Sequence, residues 1–222
     1  MIPPAHRLRT GVAATVLFLL GVPGCARAQR EARPATLPPV PALPTPALAG
    51  KKVGVLPLTL LAADPTLQSD TGYSSYRERR PALHRADSII SEALLGRAPE
   101  VTWVLPPELR KIARRSAGFT PDPDEMGQAI LRAPKLTTIP DPLRSSLRNL
   151  MAVADARLVF VPAALGFGPE PNGQIRAELT LVLCDARTGK VMWRSAAQGR
   201  GKSPDDALNA ALAAVLPAAG GP

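Results

Sequence analysis

The sequence predicts an α/β fold on the border with α+β: a mixed sheet of about five strands, with a C-terminal three-strand meander and packed helices. Three observations predict it. Apolar residues occupy every second position from Ile175 to Leu183, which is the pattern of a strand with one buried face. A short apolar run of strand type, residues 156–163, precedes that segment. Stretches further upstream show the apolar spacing of helices that pack on one face.

The meander is predicted over residues 157–198. A Gly/Pro-rich turn at residues 166–173 joins its first strand to a hairpin. The hairpin turn runs from Asp185 to Gly189, because the Asp carboxylate can accept backbone N–H bonds and the glycine can adopt a positive φ. Beyond the turn the alternation resumes through Trp193. Two long antiparallel strands and a third neighbour are therefore expected.

Strands and helices are predicted to alternate upstream of the meander. In chain order these are a buried strand over residues 51–57, a helix over 81–97, a short strand over 101–104, a helix over 106–118, a short helix over 124–132 and a helix over 141–154. A last helix follows the hairpin, since Ser203 suits the N-cap and Pro204 the first helical position. Asp141 and Pro142 are predicted to play the same two roles in the preceding helix.

The first 28 residues are predicted to be an export signal peptide. Basic residues precede the apolar run 11–22, which is too short to span a bilayer comfortably, and a helix-breaking Pro-Gly pair follows. Two processing routes remain open. Cleavage after Ala28 fits the A-x-A pattern, whereas residues 22–25 resemble a lipobox that would make Cys25 the lipidated first residue. Both routes place the mature protein outside the cytoplasm.

Residues 29–50 are predicted to be a Pro-rich linker, and residues 51–218 a single α/β domain. A Pro-rich segment is a semi-rigid spacer of about 3.1 Å per residue, which a domain held away from a membrane would need. The chain of 222 residues contains 26 prolines, so one compact domain with non-globular segments is the expected organisation. The predicted location is the periplasm, with anchoring to the outer membrane through Cys25 as one alternative.

The formal charge of the chain is +9 at pH 7, so a polyanionic partner is expected. Nucleic acid is the usual partner of a strongly basic protein. The export signal argues against it, so acidic lipids, glycolipids and cell-wall polymers are the expected sources of weak attraction. No nucleic acid and no small-molecule substrate is inferred.

Residues 59–80 show no clear periodicity and are predicted to form a long polar loop. The loop is expected either to be disordered or to bind a partner. For the second alternative, exposed Tyr and Arg side chains are enriched in the energetically dominant positions of interfaces. The candidate partner-binding residues are Tyr73, Tyr76, Arg77, Arg79 and Arg80.

No catalytic or cofactor-binding residues are predicted. His84 is the only histidine outside the predicted signal peptide, and it lies near Asp87 and Ser88 in the sequence. Three residues in one helical turn do not define a catalytic triad. His84 is therefore expected to be an exposed helix residue. The sequence has neither the spacing of a zinc or calcium site nor a phosphate-binding glycine loop. Cys184 is expected to be a buried apolar residue. The Arg-rich helix, residues 110–115, is interpreted as a solvated basic face.

Two segments resemble motifs of a group of bacterial envelope domains. Residues 52–57 resemble the motif K-x-V-x-V-L-P, and residues 185–193 resemble D-x-x-T-G-x-x-x-W. These motifs recur as structural elements in the amino-terminal domain of TolB, the curli-secretion lipoprotein and the lipoprotein activators of penicillin-binding proteins. The resemblance implies a non-enzymatic module that docks on other envelope proteins. Residues 106–155 form a helical insertion relative to that group, and no binding residue can be transferred.

The predicted function is that of a non-enzymatic envelope protein, a periplasmic protein-binding or accessory domain on a Pro-rich tether. Two alternatives belong to other classes. A hydrolase acting on cell-wall or lipid material would need two acidic side chains facing each other, about 5 to 9.5 Å apart for a glycoside substrate. An assembly subunit of a secretion channel would form closed rings that survive as oligomers.

Overall fold

Six strands form one mixed sheet within the part of the chain that the structure, a computed structural model, describes: residues 40–216 and residue 218. The strands are β1 (Lys52–Val55), β2 (Leu61–Ala63), β3 (Thr102–Val104), β4 (Leu158–Pro169), β5 (Ile175–Asp185) and β6 (Val191–Gly201). The α-helices of these residues are α1 (Thr45–Leu48), α2 (Arg79–Arg97), α3 (Pro106–Arg115), α4 (Leu143–Val153) and α5 (Pro204–Val215). The predicted α/β class is confirmed.

The strands lie in the order β3-β1-β4-β5-β6. β1 runs parallel to β3 on one side and to β4 on the other, whereas β4, β5 and β6 form the predicted antiparallel meander. The strand β2 was not expected from the sequence. It pairs in parallel with residues 165–167 of β4, beyond the end of β1. The residues Leu61, Ala62 and Ala63 include neither a β-branched nor an aromatic side chain, which is why the sequence does not predict this strand.

The turn between β5 and β6 has the predicted geometry. Asp185 Oδ1 accepts hydrogen bonds from the backbone N–H groups of Arg187 and Thr188, each at 2.9 Å. Gly189 adopts a φ of 74°, which favours glycine because it has no Cβ. Trp193 is partly buried and stacks on Phe160 with ring centroids 6.4 Å apart, so the hairpin is joined to the core close to its turn.

Helices cover both faces of the sheet and produce two apolar cores. The helices α2 and α5 pack on one face, against buried residues such as Val53 and Leu181. The helices α3 and α4 pack on the other face, against Val159 and Val182. Cys184 lies in this second core as predicted, and burial raises the pKa of its thiol to about 12. The sheet is therefore the middle layer of three.

The prediction of a polar loop over residues 59–80 with exposed tyrosines is wrong. Besides β2, this segment contains two 3-10 helices, Pro65–Ser69 and Thr71–Tyr76. Tyr73 and Tyr76 are 0% and 2% exposed, and their rings lie 5.8 and 5.0 Å from that of Phe167. Aromatic rings bury much apolar area at low entropic cost, so two of them suffice to hold a segment that has no apolar period.

Two of the predicted helix boundaries also differ. The expected helix over residues 124–132 is replaced by two 3-10 helices, Pro123–Glu125 and Gln128–Arg132, because Gly127 between them has a positive φ of 69°. The helix α4 begins one residue late, with Pro142 at the N-cap rather than at the first helical position. The predicted N-cap of α5 is confirmed, since Ser203 accepts a hydrogen bond from the backbone N–H of Asp206.

Part of the predicted Pro-rich linker is packed on the domain. Residues 40–50 contain α1, in which Thr45 and Leu48 are buried, and Leu43 is buried just before it. The backbone N–H of Leu43 donates a hydrogen bond of 2.7 Å to the carbonyl of Val215 at the end of α5. The described fold therefore includes residues that precede β1.

The predicted signal peptide, Cys25 and linker residues 29–39 lie outside the described residues. The export and lipidation predictions therefore remain predictions. Over residues 40–216, every helix is either too short or too polar to cross a bilayer.

Candidate functional site

A cleft of about 510 Å³ opens where β1 ends, and we refer to it as the β1 cleft. In α/β sheets, crevices form at the carboxyl ends of strands whose neighbouring helices lie on opposite faces. The strand β1 meets this condition, because α2 lies on one face and α3 on the other. The cleft is lined by Leu58, Thr59, Arg79, Arg80, Leu83, His84, Arg110, Asp122, Asp124 and Glu125.

An arginine bound by two carboxylates forms the base of the β1 cleft. Arg110 of α3 donates from one terminal nitrogen to Asp87 Oδ2 at 2.8 Å and to Asp124 Oδ1 at 2.7 Å. Its Nε donates to the other oxygen of Asp124 at 2.9 Å. Asp87, from α2, also accepts the backbone N–H of Leu58 at 2.7 Å. The cluster Asp87–Arg110–Asp124 thus joins α2, α3 and the chain that follows β1.

The electrostatics of this cluster are set by burial and by its internal bonds. Burial raises the pKa of Asp87, although the hydrogen bonds from Leu58 and Arg110 act in the opposite direction. The hydrogen bonds to Asp124, and then to Asp87, raise the pKa of Arg110 and keep it cationic. The positive charge of Arg110 is therefore compensated within the protein, because the carboxylates of Asp87 and Asp124 already bind it.

A buried amide holds the chain between β1 and β2. Gln128 is fully buried, and its Nε2 donates to the carbonyl of Pro57 at 2.6 Å. The amide oxygen of Gln128 is buried without a hydrogen-bond partner among the described residues. With Leu58 bound to Asp87, both sides of the β1 extension are fixed, so the inner wall of the cleft is rigid.

Exposed side chains of both signs form the rim of the β1 cleft, with Arg79, Arg80 and His84 on α2 and with Asp122 and Glu125 on the segment after α3. Arg79 donates to the carbonyl of Thr59 at 2.9 Å, and Arg80 and His84 lie one and five residues further along α2. The side chains of Arg79, Arg80 and His84 are all exposed, and the predicted exposure of His84 is thereby confirmed. The rim can therefore contact a molecule that approaches from solvent, whereas Asp87 and Arg110 at the base of the cleft are largely buried.

The structure separates the five candidate residues predicted from the sequence. Arg79 and Arg80 lie on the rim of the β1 cleft. Arg77 is exposed but donates to the carbonyl of Asp70, outside the cleft. Tyr73 and Tyr76 are in the core, where the Tyr76 hydroxyl donates to Asp205 at 2.9 Å. Only two of the five are thus brought together at one accessible place.

The cluster at the base of the cleft was missed by sequence reasoning, although a signal was present. Asp87 lies four residues after Leu83 and three before Ile90, on the apolar stripe of α2. An acidic residue on such a stripe needs a buried cationic partner. Arg110 is that partner, with a side chain 14% exposed, so the interpretation of residues 110–115 as a wholly solvated face is wrong at Arg110.

The two acids at the base of the β1 cleft, Asp87 and Asp124, are not free for hydrolysis. Asp87 and Asp124 are the facing acids, but both bind the same nitrogen of Arg110. A general acid must carry a transferable proton and a nucleophile must reach the substrate, and neither carboxylate is oriented for either task. Within residues 40–216, no three His, Cys, Asp or Glu side chains are placed to hold a metal ion.

Neither a protein-family model nor a curated protein matches this sequence. Solved structures do match it. The C-terminal domain of LpoB from Salmonella enterica is 14% identical, with a TM-score of 0.38, and the match covers 70% of this chain and 84% of that chain. A PelC dodecamer from Paraburkholderia phytofirmans is 18% identical, with a TM-score of 0.38, and the match covers 80% of this chain and 90% of that chain.

A third match is the lipoprotein GNA1162 from Neisseria meningitidis, at 16% identity and a TM-score of 0.33, over 68% of this chain and 81% of that chain. The resemblance predicted from the sequence is confirmed, because the neighbours are envelope proteins related to the lipoprotein activators of penicillin-binding proteins. With TM-scores below 0.5, the functional inference rests on the residues of this chain.

Proposed function

We propose that this chain is a non-enzymatic accessory domain of the bacterial cell envelope, which acts by binding another envelope protein. The observation that carries the proposal is that Arg110 binds both Asp87 and Asp124 at the base of the β1 cleft. Neither of these two acids is therefore free to act in catalysis. What the cleft offers to solvent is a rim with Arg79, Arg80 and His84 on α2 and with Asp122 and Glu125 on the segment after α3.

The two arginines of the rim, Arg79 and Arg80, fit an acidic segment of a protein partner. Arginine forms directional hydrogen bonds with carboxylates and is enriched in the energetically dominant positions of interfaces. These two residues stand at the start of a 19-residue helix whose inner face is buried, so little entropy is lost when they bind. Export through the predicted signal peptide, and tethering through Cys25 and the linker, would restrict that partner to the envelope.

The proposal is tested by partner capture from detergent-solubilised envelope, using full-length protein. We expect Arg79→Glu combined with Arg80→Glu to weaken binding of a reproducible partner at least about tenfold, because truncating such interface residues costs more than 1 kcal/mol. Lys51→Glu combined with Lys52→Glu is the matched control, since it reverses two exposed charges at the opposite end of β1. Equal capture by wild type and the rim variant would contradict the proposal.

The processing of the chain is tested by the intact mass of the protein purified from its native membrane fraction, with mapping of its N-terminal peptide. A mature protein that starts at an acylated Cys25 would establish the tether. A start at Gln29 without lipid would instead mean a diffusing periplasmic protein.

A further inference from the structure

Cations cluster at the end of the sheet opposite the β1 cleft. Two clefts of about 430 and 480 Å³ meet there and share Asp155 and Arg157. We call this surface the basic pole. Its exposed cations are Lys51, Lys52, Arg148, Arg157, Arg187 and Lys190. They come from the start of β1, from α4, from the residue before β4 and from the β5–β6 turn.

The carboxylates at the basic pole do not balance these charges. Asp185 binds Arg157 Nε at 2.7 Å as well as two backbone N–H groups, and its side chain is 9% exposed. Asp155 is 96% exposed and lies 3.7 Å from Lys52. Glu100 is the other exposed acid near Lys51. Several cations, including Arg187 at the tip of the turn, are therefore left to face solvent.

Exposed apolar side chains lie at the same end of the molecule. Leu95 is 50% exposed near the end of α2, Val153 is 40% exposed at the end of α4, and Met192 is 52% exposed beside Lys51 and Lys52. They are three of the five large apolar residues that are exposed in the described part of the chain. Cations mixed with exposed apolar groups are typical of surfaces that enter the interface of a lipid bilayer.

The polypeptide also reaches the fold on this half of the molecule. The helix α5 runs back along β6, so its last residue, Val215, lies toward the basic pole, and Leu43 is bonded to it. From there α1 leads to Gly50, whose N–H donates to the carbonyl of Glu100 beside β1. A lipid anchor on the preceding segment would therefore hold the basic pole toward the membrane rather than the β1 cleft.

We propose that the basic pole binds the headgroup layer of an anionic phospholipid membrane. The cations attract the phosphates, and Leu95, Val153 and Met192 enter the boundary between headgroups and acyl chains. This inference rests on the envelope location in the proposed function. Binding in this orientation directs the β1 cleft away from the bilayer, where a protein partner can reach it.

The experiment measures binding of the full-length protein to phosphatidylcholine vesicles with and without phosphatidylglycerol, over a salt series. All proteins carry Cys25→Ser, so an acyl chain cannot contribute and any effect of the N-terminal segment is common to every variant. The test variant is Lys51→Gln, Lys52→Gln, Arg187→Gln. Each basic residue near an anionic surface contributes about fivefold to partitioning, so we expect a loss of roughly a hundredfold on phosphatidylglycerol vesicles.

The control Arg77→Gln, Arg200→Gln, Lys202→Gln removes the same charge from the opposite end, where all three residues are exposed. It should bind vesicles like the wild type, and thermal unfolding should show that both variants are folded. Equal losses in both variants, no loss in the test variant, or binding of a soluble anionic polysaccharide without vesicle binding would overturn the proposal. Partner capture in detergent does not involve the vesicle, so the two proposals fail independently.

Discussion

The guanidinium of Arg110 compensates a charge that the fold could not otherwise contain. Asp87 lies on the buried stripe of α2 with its side chain 7% exposed. An ionised carboxylate in such a place is strongly unfavourable unless it is paired and hydrogen-bonded. Arg110 and the N–H of Leu58 supply those bonds at 2.8 and 2.7 Å. The geometry of the β1 cleft therefore depends on one ion pair.

Removing the arginine should destabilise the protein strongly. We expect Arg110→Met to lower the free energy of unfolding by about 3–5 kcal/mol at neutral pH, because Asp87 is left charged without a partner. Chemical denaturation would measure this loss. The control Asp124→Asn removes the more exposed partner, whose side chain is 42% exposed, and should cost about 1 kcal/mol or less.

The same variant should show a defined pH dependence. Burial already raises the pKa of Asp87 above its ordinary value of 3.8, and loss of Arg110 removes bonds that oppose this rise. A raised carboxyl pKa means that the folded state binds the proton more tightly, so its stability is greatest at low pH and is lost as pH rises through the folded pKa. The deficit of Arg110→Met should therefore shrink on acidification. A deficit that grows instead would contradict the ion-pair account.

The sequence predicts only part of the candidate site. The two arginines and the two tyrosines among the candidate residues show why. Arg79 and Arg80 were predicted because they are charged and close together, and they do lie on an accessible rim. Tyr73 and Tyr76 were placed at the surface because their segment is polar. Their burial depends on Phe167, far away in the chain, and local composition cannot indicate such a contact.

At the level of elements, the packing of α5 on β6 depends on glycine. A Cβ on Gly199 would lie 2.8 Å from the carbonyl carbon of Ala210 and closer still to backbone atoms of Ala207 and Ala211. Real Cβ atoms do not approach that closely, and the obstacle is helix backbone rather than a movable side chain. The helix therefore rests directly on the strand.

Gly199→Ala should consequently destabilise the domain by about 1–3 kcal/mol or more, because overpacking forces a backbone shift. Thermal or chemical unfolding would measure it. Gly96→Ala is a matched control in α2, where a new Cβ meets nothing within 4 Å. That change should stabilise the helix by roughly 0.5–1 kcal/mol, since alanine has the higher helix propensity. If both substitutions shifted stability in the same direction, the close-packing explanation would be lost.

Elements with a period were predictable, and elements without one were not. The alternation in β5 and the stripes of α2 and α4 predicted the correct kind of element at nearly the correct bounds. The strand β2 and the two 3-10 helices that follow it were not predicted, and the two later 3-10 helices were predicted as one helix, because segments of three to six residues are too short to repeat a pattern several times. Their conformations are determined by neighbours such as β4, to which β2 is bonded.

At the scale of the whole molecule, the fold is closed by residues that precede the first strand. Leu43 and Leu48 are 4% and 2% exposed, and both belong to the core between the sheet, α2 and α5. Composition alone assigned them to a Pro-rich linker. Prolines are frequent in that segment, but Leu43 and Leu48 are buried. The N–H of Leu43 bonds to the carbonyl of Val215, near the other end of the chain.

Replacing these leucines should test whether residues 43–48 stabilise the domain. We expect Leu43→Ala and Leu48→Ala each to lower the free energy of unfolding by about 2–5 kcal/mol, as for buried leucines in general. Ala47→Ser, at an exposed position between them, should change it by about 0.5 kcal/mol or less. Unchanged stability in the leucine variants would mean that the segment is a true linker in solution.

The placement of β1 has a mechanical consequence. This strand is bonded in parallel to β3 and β4, with three residues in register on each side. The polypeptide from the N-terminal segment arrives at its first residues, and the β1 cleft lies at its last. Once Leu43 and α1 have been pulled away from the core, a force between an anchored N-terminus and a partner held in the cleft would act along the strand. Both ladders would then be loaded in shear, so their hydrogen bonds would resist together instead of opening one after another.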